Sequence, residues 1–110
     1  LMLEELRNLP STEGMTMLDE LIELFLRDAP RCIAQIHQAL HEPRQMAFHA
    51  HALKSMSLNM GARKIVALAQ ELETLGNTGR VEGAGRLLRE LEATYRATQA
   101  ELRALRPART

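Results

Sequence analysis

His51, Lys54 and Ser55 place an imidazole, an ammonium and a hydroxyl within about one helical turn. A neutral imidazole is a good nucleophile near pH 7, because its unperturbed pKa is about 6.5. Attack on an acyl phosphate gives a phosphoramidate, whose P–N bond is labile enough to pass the group on. The attacking nitrogen brings a lone pair and carries no proton to remove, so no general base is needed. Such transfer needs an exposed ring and a positive charge nearby. Lys54 lies at the spacing where helix side chains are neighbours. Its ammonium can offset charge on phosphoryl oxygens in the transition state and in phospho-His51. Ser55 is small enough to leave room for the ring and for a partner. Its hydroxyl could hold one ring nitrogen and expose the other, which makes the outer Nε2 the expected reactive atom.

These residues need a helix to hold them, and the spacing predicts one over about 43–59. Pro43 suits its first turn. At 100° per residue, Met46, Ala50, Leu53, Ser57 and Met60 share one side. Arg44, Ala47, Phe48, His51, Lys54, Ser55 and Leu58 share the other. Before it, Leu18, Ile22, Phe25, Ala29, Ile33, Ile36 and Leu40 recur every three or four residues. Thr16 is the expected cap of that helix after a loop at Ser11–Gly14, and Pro30 is expected to kink it. Leu3, Leu6 and Leu9 predict a short helix over 1–9. Asn59–Gly61 reads as a tight turn, followed by a helix over about 62–75. Gly76-Asn77-Thr78-Gly79 reads as a break. A last helix carries Ala84, Leu88, Leu91, Tyr95, Thr98, Leu102 and Leu105 to about residue 105, and the chain from Pro107 onward reads as a frayed tail. The expected fold is all-α: one domain over 1–110, an antiparallel up-down-up-down four-helix bundle with a short additional N-terminal helix.

Composition agrees. Aromatics are 3% of the 110 residues and Trp is absent, so Leu, Ile, Ala and Met must fill the core. Fourteen basic and fourteen acidic side chains cancel, which argues against nucleic acid as a partner. No apolar run approaches a membrane span, and no signal peptide opens the chain. Cys32 is alone, which fits a reducing compartment and reads as packing. Leu1 stands where an initiator Met would be, so a module of a longer protein is expected. Phosphate loops and a Gly-x-Ser-x-Gly elbow are absent, so any phosphate chemistry proceeds without an ATP site. His37 and His41, four apart, could share a metal, but no third ligand is evident. His49 points to nearly the opposite side from His51, toward the core boundary.

The stretch from Ala50 to Ala62 resembles the signature of histidine-containing phosphotransfer (HPt) domains, roughly His-x-x-Lys-Gly-(small)-(small)-x-x-x-Gly-Ala. His51, Lys54, Ser57, Gly61 and Ala62 match it, with Ala50 before the histidine. Phe25 to Pro30 and Leu68 to Leu75, with its Leu72-Glu73 pair, extend the likeness. It departs at Ser55, where the family most often has glycine, and at Met56. The resemblance implies that His51 accepts a phosphoryl group from a receiver-domain aspartate and passes it to another, in bacterial phosphorelays. It implies response-regulator receivers as partners, no cofactor on this chain, and Mg²⁺ on the receiver. It further implies a cytoplasmic, monomeric domain, with a hybrid sensor histidine kinase, itself membrane-bound or not, as the expected parent. An apolar docking rim is expected from Ala47, Phe48 and Leu58, completed by Met15, Leu18 and Ile22. Two other roles stay open: the kinase-phosphorylated histidine module of a chemotaxis-type kinase, and a helical scaffold in which His51 is incidental.

Overall fold

The computed structural model describes residues 12–105 and folds them into four helices, α1 (Thr12–Gln38), α2 (Pro43–Met60), α3 (Arg63–Asn77) and α4 (Ala84–Leu105). The expected N-terminal helix over 1–9 and the tail from Pro107 lie outside the described residues. Each helix packs on the two that flank it in the cyclic order α1-α2-α3-α4, with no diagonal contact. Short connections between antiparallel neighbours produce this four-helix bundle.

Local chemistry sets the helix ends. Pro43 opens α2, where its missing N–H costs nothing. Gly61 closes it with φ 71°. Its N–H meets the Leu58 carbonyl at 3.1 Å, and that of Ala62 meets Ser57 at 3.0 Å. This is a Schellman motif, which uses up carbonyls the helix leaves open. α3 ends the same way around Gly79, φ 75°, with Arg80 N–H donating to the Leu75 carbonyl at 2.9 Å. The helix thus runs two residues past its expected end, and the chain turns at Thr78 and Gly79, within the expected break. α1 already begins at Thr12, so Thr16 lies inside the helix and is not its cap. α1 runs unbroken through Pro30 and ends at Gln38, which leaves His41 in the following turn.

The core is aliphatic. Ile22, Ile36, Met46, Leu53, Ile65, Leu72 and Leu91 are fully buried, each contributing about 1.5–3 kcal/mol relative to exposure. Phe25 and Tyr95 join α1 to α4, with ring centroids 5.9 Å apart. Ser57 is fully buried and its hydroxyl has no hydrogen-bond partner, so the position uses small volume and not polarity.

Three residues expected in the docking rim belong to this interior. Leu18, Ile22 and Ala47 are 5%, 0% and 5% exposed. Leu18 and Ile22 lie in register with Phe25 and Ala29 and face inward with them. Ala47 faces Gly76 of α3. A Cβ on Gly76 would sit 2.7 Å from the Ala47 Cβ and 2.9 Å from its nitrogen, and would crowd the Pro43 carbonyl oxygen. Here the two backbones meet without a side chain between them. Gly76→Ala is therefore expected to destabilise the fold by about 1–3 kcal/mol through overpacking, despite alanine's ~1 kcal/mol advantage in helices. A urea midpoint at or above wild type would show that the helices do not meet this closely.

Candidate functional site

The turn at Gly61 folds α3 back along α2, so residues equally far from Ala62 come opposite each other. His51 and Glu73 each lie eleven residues from Ala62, and Lys54 and Gln70 each lie eight. Both pairs are in contact. His51 Nδ1 is 2.9 Å from Glu73 Oε2, and Lys54 Nζ donates to Gln70 Oε1 at 2.9 Å. Lys54 Nζ also stands 2.8 Å from Glu73 Oε1, so one carboxylate serves both residues. Gln70 Nε2 in turn donates to Thr74 Oγ1 at 3.1 Å.

This arrangement determines the tautomer. The Lys54 ammonium, and after it the His51 ring, hold the Glu73 carboxyl below the usual carboxylate range, against a partial burial that pushes it up. An ionised carboxylate only accepts, so Nδ1 must carry the hydrogen. Nε2 keeps its lone pair and meets no partner among the described residues. The His51 side chain is 60% exposed, whereas Lys54 and Glu73 are 19% and 15%. The ring stands open and the two charges beside it are held close to the bundle.

Ser55 is exposed on the same face and makes no hydrogen bond to the ring. Glu73 of the neighbouring helix takes the orienting contact expected of it. Glu73 appeared in the sequence only as part of a likeness, and Gln70 and Thr74 drew no notice. Counting outward from the glycine turn would have found Glu73 and Gln70. Phe48, His51, Ser55 and Leu58 follow one another at steps of three, four and three residues along the outside of α2. Phe48 is 71% exposed and Leu58 59%. On α1, Met17 and Leu24 are large apolar residues left exposed, each 46%. A groove between α1 and α2, lined by Leu21, Leu24, Met56 and Asn59, lies alongside this face. His49 is half-buried with its ring edge-on to Phe48 at 5.3 Å.

The family model for the Hpt domain matches residues 20–104. The chain belongs to the Hpt family. No curated protein and no solved structure matches it. The match covers all of α2 and α3, α4 up to residue 104 and most of α1, so the four-helix architecture is the Hpt architecture. An Hpt domain serves phosphorelays by histidine phosphotransfer, and Hpt domains act with the receiver domains of response regulators. Among the described residues of this Hpt domain, no helix is long and apolar enough to cross a membrane.

The depressed Glu73 pKa ties stability to pH. A carboxyl lowered on folding stabilises fully above its ordinary value near 4.5, and that contribution is lost as pH falls through the folded value. Partial solvation limits it to about 1 kcal/mol or less. Wild type should therefore exceed Glu73→Gln in urea midpoint at pH 6, and the gap should shrink as the solution is acidified below the ordinary carboxyl value near 4.5. A gap independent of pH would mean that the carboxylate charge contributes nothing.

Proposed function

We propose that His51 Nε2 takes a phosphoryl group from the aspartyl phosphate of one receiver domain and delivers it to the aspartate of another. The carrying observation is the Glu73 contact to Nδ1, which leaves the lone pair on the exposed nitrogen. In the forward step the Nε2 lone pair forms the P–N bond. The P–O bond to the receiver aspartate breaks, and its electron pair leaves with the carboxylate. The ring becomes an N-phosphorylated imidazolium that retains its Nδ1 proton. Glu73 faces that new positive charge, and Lys54 faces the phosphoryl oxygens. In the return step a receiver carboxylate attacks phosphorus and the ring leaves as neutral imidazole. Mg²⁺ and the acidic residues that bind it belong to the receiver, so this chain acts as carrier without a cofactor of its own. A cytoplasmic, monomeric domain suits that role.

The receiver docks over Phe48 and Leu58, which flank His51, and reaches Leu24 on α1. Exposed apolar side chains around a reacting group favour a partner that covers them. Ser55, between His51 and Leu58, leaves the approach open and touches the incoming domain.

Incubation with a panel of phosphorylated receivers tests the reading. Wild type should gain an acid-labile, base-stable phosphoryl adduct, and His51→Gln should gain none. An adduct on His51→Gln equal to wild type would place the acceptor elsewhere. Leu58→Asp should weaken receiver binding about tenfold or more, the effect expected of a buried interface anchor, with the fold unchanged because the side chain is exposed. An unaltered receiver Kd would move the docking face away from this end of α2.

A further inference from the structure

Lys54 is held more firmly than phosphate chemistry alone requires. A lysine on a helix surface ordinarily keeps a mobile four-carbon stem and a hydrated ammonium. Here Nζ is fixed between Glu73 Oε1 at 2.8 Å and Gln70 Oε1 at 2.9 Å, and the side chain is only 19% exposed. The amide orientation of Gln70 follows from chemistry. An ammonium has three donors and no acceptor, so only the amide oxygen can face it. The amide nitrogen then points to Thr74 Oγ1, which accepts from it at 3.1 Å. Gln70 and Thr74 stand one turn apart on the outer edge of α3 and are both exposed. The core does not require either of them.

We propose that Gln70 and Thr74 are positioning residues for Lys54, holding its ammonium so that an N–H remains free for a phosphoryl oxygen on His51. The inference rests on the phosphotransfer reading and adds to it. Before any phosphoryl arrives, one donor of Nζ is taken by Gln70 and the ammonium stands in ion-pair contact with Glu73 Oε1. A remaining N–H can meet the transferred group without breaking either contact. Lys54 thus enters the transition state already placed, and little reorganisation accompanies the transfer. Thr74 acts one step further out. Without its hydroxyl the Gln70 amide can turn, and a turned amide presents N–H₂ to an ammonium.

A double-mutant cycle on the whole chain, with a phosphorylated receiver that labels wild type, tests this. Gln70→Ala should slow transfer at saturating receiver about three- to tenfold and leave the receiver Kd unchanged. In a Lys54→Met background the same substitution should slow it no further. Thr74→Val should give a smaller loss, which Thr74→Ser restores. NMR order parameters of the Lys54 ε-methylene should fall in Gln70→Ala. Wild-type rates in Gln70→Ala, or an equal loss without Lys54, would overturn the proposal. If wild type takes no phosphoryl from any receiver, the phosphotransfer reading itself fails. The tether is then decided by NMR: unchanged Lys54 order in Gln70→Ala rejects it, and lowered order upholds it.

Discussion

The register between α2 and α3 is the constraint on which the site depends. It is set at one point, the left-handed Gly61, and checked at another, the close approach of Gly76 to Pro43 and Ala47. Between these two points the helices run antiparallel with no freedom to slide. A shift by one residue would turn each α3 side chain by about 100° relative to its partner. Glu73 would then leave His51, and Gln70 would leave Lys54. The ionic contacts are too weak to impose this register, since partly solvated pairs contribute only about 0–1 kcal/mol. Leu53, Ile65, Ala69 and Leu72 bury the facing surfaces and impose it. Apolar packing therefore positions the charges.

The His51 ring stands open on the outside of α2, and this suits the proposed transfer. An enzyme that activates water must enclose its reactants. A carrier must offer the same atom to more than one partner, so its nucleophile has to stand clear of its own fold. The chain separates the two requirements by helix. α2 presents the ring, exposed on a stripe that also carries Phe48, Ser55 and Leu58. α3 supplies the carboxylate and the amide from below. Partial burial of Glu73 strengthens its hold on the Lys54 ammonium, because charges interact more strongly where water is thinned.

Much of this was legible in the sequence, and the gaps have physical causes. Period and breakers located the helices, because Leu, Ile and Ala at three and four residues have one interpretation in a chain with few aromatics. His51 and Lys54, one turn apart, marked the face proposed here for phosphotransfer. The docking rim was partly misread. Leu18 and Ile22 were assigned to the core stripe and to the rim together, and one stripe cannot face both ways. Ala47 fell on the outer half of a helical wheel, but a wheel knows nothing of a neighbour that comes within contact distance at Gly76. Gly76 itself read as a break, since a glycine that ends a helix and one that admits a neighbouring backbone look alike in a string of letters. The orienting role was given to Ser55 on the same helix, and Glu73 of the next helix holds it. Contacts between helices depend on register, and register is visible only once the turn is used as a ruler.

The two-residue connection between α2 and α3 also bears on how the chain folds. His51 and Glu73 are 22 residues apart in sequence, and Lys54 and Gln70 only 16. Contacts this local close small loops, and proteins rich in them fold fast. The pair of helices that carries His51, Lys54 and Glu73 is also the pair whose meeting demands the least chain entropy. The site therefore belongs to a hairpin that can nucleate the bundle, with α1 and α4 condensing on a face already in register.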